Sequence, residues 1–449
     1  MAKLKAAYVC QECGAISTKW QGQCLECHAW NTLVETVAKT NVEKKQGYAG
    51  VEAKVQLLKD VSLSDVPRIL SPFSEFDRAI GGGIVPGAVM LIGGDPGIGK
   101  SSILLQIMAM LSQQLSTLYV TGEESLEQVA LRAKRMQLPA DCLKVMSQTD
   151  VEQICHYITQ NKPEVVVVDS IQTMKIEALP SAAGGVTQVR ESASMITQTA
   201  KQTNSSVFLV GHVTKTGEVA GPRVLEHIVD TVMFIEGQTD GRFRMIRAMK
   251  NRFGAVNELG VFAMTDKGMR EVKNPSAIFL NRSEEDISGS VIISLWEGTR
   301  PILAEIQALV HDSHFAPPKR LAVGLDPNRL SMLLAIIGRH LSVSLGESDV
   351  FINVVGGIKV SETSIDLAII AVILSSFYNR PIAKDWIILG EVGLSGEIRP
   401  VPYGQERLQE AQKHGFKKAI VPLENIPKKK TAINVVGIRK LAELKALIE

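Results

Sequence analysis

A motif of the form G-x-x-x-x-G-K-S occupies Gly94-Asp95-Pro96-Gly97-Ile98-Gly99-Lys100-Ser101. The apolar run before it, residues 88–93, favours a buried strand, and residues 102–106 after it have the apolar spacing of a helix. A glycine loop between strand and helix binds phosphate, because backbone N–H groups and the helix N-terminus converge on the anion. Lys100 is therefore predicted to reach the β- and γ-phosphates of ATP, and the Ser101 hydroxyl to ligate Mg²⁺.

Length and composition restrict the class of protein. A chain of 449 residues is too long for one hydrophobic core, so two or three domains are expected. The net charge of +2 means that any nucleic-acid surface must be local. No apolar run reaches the length of a membrane span and the N-terminus lacks a secretory signal, so we expect a cytoplasmic protein without a membrane partner.

Four of the six cysteines form two C-x-x-C pairs near the N-terminus, Cys10 with Cys13 and Cys24 with Cys27. In a reducing compartment such clusters indicate metal binding rather than disulfides. Four thiolates at this spacing can close tetrahedrally on Zn²⁺, with His28 a possible but unnecessary ligand. A redox C-x-x-C is the alternative, and two copies without a βαβ frame argue against it.

The pattern of apolar segments predicts an α/β protein in four parts. Residues 1–34 are predicted to be a four-cysteine zinc finger, and the polar residues 35–65 a linker. In residues 66–272 strands alternate with helices, as in a parallel doubly wound sheet. Residues 273–449 form an independent α/β or α+β domain. The strands expected in the third part are residues 89–92, 117–121, 143–146, 165–168, 207–210 and 229–235.

Polar groups follow several of these predicted strands. Asp169 ends the run Val165-Val166-Val167-Val168, and the carboxyl ends of parallel strands are where ligands of open α/β sheets bind. Asp169 is therefore predicted to help hold Mg²⁺. Ser170 either assists it or only caps the strand.

ATP hydrolysis also requires a group that orients or deprotonates water. Glu123 and Glu124 follow the strand at residues 117–121, and Glu123 is the stronger candidate. The alternative is that both only begin a helix, where the helix dipole favours acidic residues. His212 follows another strand and could sense the γ-phosphate, or be a solvated loop histidine.

Lys250 and Arg252 belong to a K-N-R-F-G segment that is expected to follow a strand. In a ring of subunits, such cations can enter the neighbouring subunit's site and stabilise charge in the transition state. A surface turn with two solvated charges is the alternative.

The order of these motifs resembles the RadA (Sms) family of bacterial DNA repair proteins. The resemblance rests on the finger, on residues 73–78 and 81–87 before the phosphate loop, and on residues 250–254, and it covers essentially the whole chain. It implies a RecA-like core, a hexameric ring, and ATP hydrolysis stimulated by single-stranded DNA. It also implies branch migration on branched DNA with the RecA recombinase. By the same resemblance, Glu123 falls at the water-activating glutamate and His212 at the γ-phosphate-sensing glutamine.

DNA contacts are less distinct in the sequence. Residues 175–190 and 215–223 fall where recombinase-like cores place mobile DNA-facing loops, and glycine-rich loops with scattered cations suit phosphate binding. Ordinary surface loops would have the same composition. Four cations of the C-terminal part are further candidates, with plain solvated surface as the alternative: Lys319, Arg320, Arg339 and Lys359.

The C-terminal part resembles the proteolytic domain of Lon proteases, which use a serine–lysine dyad. Ser364 falls at the serine position, but Gln405 falls at the lysine position and an amide is not a useful base. Arg407 nearby stays protonated. We therefore expect no proteolysis, and expect Ser364 to cap a helix at residues 365–374.

Three classes of function remain in competition. The leading interpretation is a DNA-dependent ATPase motor of recombination. An ATP-dependent protease is suggested by the Lon resemblance and disfavoured by the missing base. A passive DNA-binding scaffold would have the finger and the nucleotide site but no translocation. Stimulation of ATP hydrolysis by single-stranded DNA and movement of DNA strands distinguish the three.

Overall fold

The structure is a computed structural model, and it describes most of the chain. The described residues are 5–10, 16–17, 19–26, 28–38, 67–212, 222–237, 242–256, 258–272, 274, 276, 286–314, 317–356 and 358–449. The chain divides into two units, Met1–Val272 and Lys273–Glu449. No helix in these described ranges combines the length and the apolarity that crossing a membrane requires.

The N-terminal segment is a small antiparallel sheet. Its strands are β1 (Lys5–Cys10), β2 (Ile16–Ser17) and β3 (Leu33–Ala38), in the order β2-β1-β3. β3 pairs with β1 along its full length, from Leu33 opposite Cys10 to Ala38 opposite Lys5. Residues 35–38 of the predicted linker therefore belong to this sheet, because these backbone pairs extend it to Ala38, and residues 39–65 of that linker lie outside the described residues.

A nine-stranded sheet forms the centre of the first unit. Its described strands follow the order β12-β11-β10-β9-β4-β8-β7-β5-β6. In this order every neighbouring pair from β9 to β6 is parallel, and every neighbouring pair from β12 to β9 is antiparallel. The parallel part confirms the predicted doubly wound sheet, and the antiparallel extension was not predicted. The strands are β4 (Val89–Gly94), β5 (Thr117–Thr121), β6 (Lys144–Ser147), β7 (Val165–Asp169), β8 (Ser206–Val210), β9 (Thr231–Glu236), β10 (Phe243–Asn251), β11 (Leu259–Thr265) and β12 (Gly268–Glu271).

Helices cover both faces of this sheet, which explains why its central strands read as continuous apolar runs. In β7, Val165 and Val167 belong to one buried cluster, and Val166 and Val168 belong to the cluster on the other face. The helices are α1 (Ser74–Ala79), α2 (Lys100–Leu111), α3 (Leu126–Arg135), α4 (Val151–Asn161), α5 (Val186–Thr203) and the short α6 (Pro222–Leu225).

The strand order determines where polar side chains can meet. Because β4, β5, β7 and β8 are parallel neighbours, their carboxyl ends lie along one edge of the sheet. The phosphate loop follows β4, Glu123 follows β5, Asp169 ends β7 and His212 follows β8. One edge therefore carries these four features.

The second unit is an α/β domain with its own sheet. The described strands follow the order β15-β16-β14-β13-β17-β20-β21, which mixes parallel and antiparallel pairs. These are β13 (Ser290–Glu297), β14 (Arg300–Asp312), β15 (Arg320–Val323), β16 (Ser348–Val354), β17 (Trp386–Ile388), β20 (Lys418–Pro422) and β21 (Asn434–Ile438), with a hairpin of β18 (Glu391–Val392) and β19 (Ile398–Arg399). The helices are α7 (Pro327–Leu341), α8 (Asp366–Tyr378), α9 (Gly404–Lys413) and α10 (Leu441–Ile448).

Candidate nucleotide-binding site

The loop between β4 and α2 has the backbone of a phosphate cradle. Gly94, Gly97 and Gly99 have φ angles of 148°, 75° and 113°, a region that side chains disfavour. A Cβ atom added to Gly94 would lie 2.8 Å from the carbonyl oxygen of Ile235, so no other residue fits there without a shift of the backbone. Gly99 directly precedes α2, so the free N–H groups of the first helical turn face the loop.

Lys100 is the first residue of α2, and only 3% of it is exposed. Its Nζ donates to the carbonyl oxygens of Gly94 at 2.7 Å and Asp95 at 3.0 Å, so the ammonium group lies within the loop. Burial lowers the pKa of Lys100, and the carboxylates of Asp169 and Glu123 oppose that effect. The lysine therefore interacts electrostatically with both acids that were predicted to work beside it.

Asp169 is 5% exposed, and its two oxygens have different surroundings. Oδ2 accepts a hydrogen bond from the Tyr119 hydroxyl at 2.5 Å. Oδ1 is buried and has no hydrogen-bond partner among the described residues. A buried carboxylate oxygen without a partner fits a hard cation such as Mg²⁺, so Asp169 and the Ser101 hydroxyl are a suitable donor set.

Glu123 is held by two polar neighbours. Its Oε1 accepts from the Ser170 hydroxyl and lies 3.0 Å from Nε2 of His212. The hydrogen bond to His212 is the main reason that the pKa of Glu123 lies below its ordinary value, with Ser170 and Lys100 acting in the same direction. Glu123 is therefore ionised at neutral pH. Ser170 and His212, which follow neighbouring strands, meet on this one carboxylate.

Glu124 has a different environment. It forms an ion pair with Arg132 on α3, and its backbone N–H and C=O both bond to the Thr121 hydroxyl. Its carboxylate is thus paired with an arginine of the helix that begins at Leu126. Of the two adjacent acids, Glu123 is the one beside Lys100 and Asp169.

Lys250 and Arg252 lie on the first unit but not at this edge. Lys250 was expected after a strand, whereas it lies inside β10, because a register shift between Ala248 and Lys250 lets β10 continue pairing with β9 to Asn251. Its Nζ donates to the carbonyl oxygens of Glu226 and of Val229, the latter at 2.8 Å. Burial is the main cause that lowers the pKa of Lys250, followed by Arg252.

Arg252 is 57% exposed and contacts the buried Asp230 at 3.3 Å. The other oxygen of Asp230 accepts from the backbone N–H of Val89, the first residue of β4, at 3.0 Å. Arg252 therefore lies near the start of β4, and the phosphate loop follows its end. Within one chain, the K-N-R-F-G segment and the phosphate loop are on opposite edges of the sheet.

The two described cysteines of the finger are close to one hydrophobic cluster. Cys10 and Cys24 are both buried and pack with Leu33. Backbone hydrogen bonds from Cys24 to Ala29 and from His28 to Cys24, both 2.9 Å, form a tight turn after Cys24. Cys13 and Cys27 lie outside the described residues, and the described residues contain no group of three or more potential metal ligands. Two buried thiols beside a tight turn fit a structural zinc site.

The first segment expected to face DNA is more ordered than a plain loop. Residues 186–190 belong to α5, and the buried Gln188 bonds to both backbone groups of Ile176 at 2.9 and 3.1 Å. Its two cations have acidic neighbours, Glu177 for Lys175 and Glu191 for Arg190. The second segment, residues 215–223, lies outside the described residues except where α6 begins.

Ser364 was expected to cap a helix, and this expectation is wrong. α8 begins at Asp366 with Ile365 as its N-cap, and Ser364 is buried in the short turn before it. The guanidinium of Arg407, which is 0% exposed, donates to the Ser364 hydroxyl at 3.3 Å and to Glu362 at 2.6 Å. A permanently charged donor cannot remove the serine proton. Gln405 is exposed at the start of α9.

Two residues that hold predicted functional side chains in position were missed by the sequence analysis. Tyr119 looks like one more apolar residue of a buried strand, and Asp230 looks like a loop acid. Their roles depend on partners far away in the chain, Asp169 for Tyr119 and Val89 for Asp230. No local pattern in the sequence could have shown either pairing.

Family profiles match three parts of the chain. Residues 8–35 match a rubredoxin metal binding domain, and residues 53–218 match an AAA domain. Residues 334–425 match subunit ChlI of Mg-chelatase. With the strand order and the phosphate loop, these matches define a RecA-like P-loop ATPase with an N-terminal zinc ribbon and a C-terminal ChlI- or Lon-like domain.

Close relatives then specify the family. The chain is 57% identical to DNA repair protein RadA of Pseudomonas aeruginosa, with 100% of both chains covered. It is 54% identical to DNA repair protein RadA of Escherichia coli, covering 99% of this chain and 98% of the relative. For DNA repair protein RadA of Bacillus subtilis the identity is 45%, over 99% and 98%. The chain belongs to the RadA family of DNA repair proteins.

Proposed function

We propose that this protein hydrolyses ATP in response to single-stranded DNA and uses the energy to drive branch migration of recombination intermediates. It does so in the cytoplasm as a hexameric ring that cooperates with the RecA recombinase. The observation that carries the proposal is the convergence of Lys100, Asp169 and Glu123 at one sheet edge. Asp169 and Glu123 both act to raise the pKa of Lys100, which supports a single reaction site.

Each residue has a separate task in this site. The loop at residues 94–101 binds the phosphates of ATP through its backbone N–H groups, and Lys100 neutralises charge on the β- and γ-phosphates. Ser101 and Asp169 would hold Mg²⁺, which neutralises phosphate charge and orients the terminal phosphoryl group. The contacts of Lys100 with Gly94 and Asp95 place its ammonium group where it can exchange loop carbonyls for phosphate oxygens.

Glu123 orients the attacking water and accepts its proton. The carboxylate is ionised at neutral pH because its pKa is lowered, so it can accept a hydrogen bond from water in the resting state. Ser170 and His212 fix its position through Oε1, which leaves Oε2 to accept from water. His212 also connects Glu123 to the end of β8, and it would report the presence of the γ-phosphate along that connection.

Lys250 and Arg252 act in the site of the neighbouring subunit. They lie beside the start of β4, on the sheet edge opposite their own phosphate loop. Arg252 is more than half exposed, so its guanidinium is accessible to a second subunit. A ring that places this segment against the next subunit's ATP supplies cations for the charge that develops in the transition state.

DNA binding would be independent of sequence and would use scattered cations. In the second unit Lys319, Arg320, Arg339 and Lys359 are all exposed. Phosphate contacts of this kind carry no base information, which suits a motor that must pass over any sequence. In residues 175–190 the cations have acidic partners, so that segment offers backbone groups rather than free charge.

Two assays of the purified protein test the proposal, and a third, for cleavage of casein, tests the protease alternative. ATP hydrolysis is measured with and without single-stranded DNA, and movement of a three-stranded junction is measured with ATP. A motor shows both stimulation and junction movement. DNA-stimulated hydrolysis without strand movement would indicate a passive DNA-binding scaffold. ATP-dependent cleavage of casein would indicate a protease. Either of those results would contradict the proposal.

A further inference from the structure

Tyr119 contributes a buried hydroxyl to the nucleotide site. It lies in β5 and is 1% exposed, within the cluster that also contains Val167. Its hydroxyl donates to Oδ2 of Asp169 at 2.5 Å. The hydroxyl of Ser101 is a further polar neighbour, and the charge of Arg132 also acts on the phenol. The phenol is therefore next to both groups that would hold the metal ion.

The strand register explains how the phenol reaches this point. Tyr119 is paired with Val167, two residues before Asp169 on the neighbouring parallel strand. Side chains at such diagonal positions share a face and are about 7 to 8 Å apart at their bases, a gap that an aromatic ring spans. A smaller polar residue at position 119 would not reach Asp169.

Packing alone does not require this hydroxyl. A phenylalanine would fill the same volume without burying a polar group, which is costly unless that group is hydrogen-bonded. Here the hydroxyl bonds a charged carboxylate at one oxygen and leaves Oδ1 without a partner among the described residues. The contact thus sets the rotation of the carboxylate and determines which oxygen is available.

We propose that Tyr119 is a positioning residue for the divalent cation that accompanies ATP. Its hydroxyl holds Asp169 through Oδ2 and keeps Oδ1 available for the cation. It does not touch the nucleotide, so its effect falls on metal affinity rather than on nucleotide affinity. This inference rests on the proposed ATP hydrolysis at the same site.

The test compares Tyr119→Phe with Tyr157→Phe. Tyr157 lies on α4, away from the phosphate loop, so the control removes a hydroxyl without touching the site. Two quantities are measured on the full chain: the Mg²⁺ concentration that half-saturates ATP hydrolysis, and the affinity for Mn²⁺ in the presence of ADP by electron paramagnetic resonance. Loss of a partner that orients a metal ligand typically costs about tenfold or more in metal affinity.

In Tyr119→Phe we expect the half-saturating Mg²⁺ concentration to rise about tenfold and the affinity for Mn²⁺ to fall about tenfold. In Tyr157→Phe both quantities should stay within about twofold of the wild type. Nucleotide affinity in the presence of a chelator should stay within about twofold in both variants, because Tyr119 acts only through the metal ligands. A folded Tyr119→Phe protein with unchanged Mn²⁺ affinity would overturn the inference. An equal loss of nucleotide affinity with and without metal would also overturn it, because it would show a general structural role.

The two readouts separate this inference from the proposed function. If the wild-type protein fails to hydrolyse ATP, the proposed function is wrong, and the Mn²⁺ measurement with ADP still decides the role of Tyr119. If hydrolysis is present and the metal dependence of Tyr119→Phe is unchanged, the proposed function stands and the inference fails.

Discussion

Lys100 and Arg252 lie at opposite ends of strand β4 in the same chain. Arg252 contacts Asp230, which binds the N–H of the first residue of the strand, whereas Lys100 follows the loop that leaves its last residue. A strand of six residues spans about 16 Å, which exceeds the reach of an arginine side chain. Arg252 therefore cannot reach the phosphate loop of its own chain.

Replacing Lys250 or Arg252 by alanine should reduce DNA-stimulated hydrolysis strongly, by about a thousandfold if the cation stabilises the transition state. Nucleotide affinity should change little, because such a cation acts on charge that develops only during the reaction. Steady-state kinetics and equilibrium binding of a fluorescent ATP analogue measure the two effects. Full activity in both variants would show that neither cation takes part in ATP hydrolysis.

Mixed rings test whether this action occurs between subunits. Lys100→Ala and Arg252→Ala subunits are each expected to be inactive alone, but in mixed rings an intact Lys100 can meet an intact Arg252. We expect partial recovery of ATP hydrolysis on mixing. If rings shown to exchange subunits recover no ATP hydrolysis, the cations do not act on a neighbouring subunit. A shallower salt dependence of DNA binding in Arg252→Ala would then show that the cation contacts DNA phosphates.

Lys100→Ala should lower ATP hydrolysis by about a hundredfold or more, because it removes the cation that lies within the phosphate loop. Lys134→Ala is a matched control, since Lys134 is an exposed lysine on α3. Turnover of both proteins is measured under saturating ATP. Wild-type turnover in Lys100→Ala would remove Lys100 from the mechanism.

Cys24→Ala should release zinc and unfold the finger while leaving ATP binding nearly unchanged. Structural zinc contributes about 10 to 16 kcal/mol in finger peptides, more than the small cluster around Cys10, Cys24 and Leu33 can supply by burial. Cys142→Ala, at an exposed cysteine of the first unit, controls for loss of a thiol. Metal analysis is the measurement, and wild-type protein purified without chelators yet lacking zinc would refute the assignment.

The wild-type protein should cleave neither casein nor a fluorogenic peptide, with or without ATP. Gln405→Lys should not create peptidase activity, because the buried Arg407 guanidinium still donates a hydrogen bond to the Ser364 hydroxyl. Peptidase activity that is lost in Ser364→Ala would overturn this prediction.

The sequence indicates the fold of the first unit well, because its signals are local. The run Val165–Asp169 and the glycine motif each specify an element and its polar terminus without reference to distant residues. The expected convergence of Asp169 and Glu123 follows from one rule, that parallel strands align their carboxyl ends.

The remaining features depend on contacts between residues far apart in the chain. Ser364 was expected at a helix cap, but Arg407, 43 positions later, binds its hydroxyl and the helix begins at Asp366. Lys250 was expected beyond its strand, but the register shift in β10 extends that strand to Asn251. The local sequence carries no signal for either feature, because each depends on a contact with a segment far away in the chain.

Glu123→Gln tests whether the Glu123 carboxylate is the base that drives this motor, because the substitution keeps the size of the side chain and removes the base. The measurement is ATP hydrolysis together with migration of a three-stranded DNA junction, and Glu124→Gln is the control because Glu124 pairs with Arg132. We predict that Glu123→Gln binds ATP, hydrolyses it at least about a hundredfold more slowly and moves no junction, whereas Glu124→Gln hydrolyses ATP and moves the junction as the wild type does. Hydrolysis and junction movement at wild-type rates in Glu123→Gln would show that Glu123 is not the base.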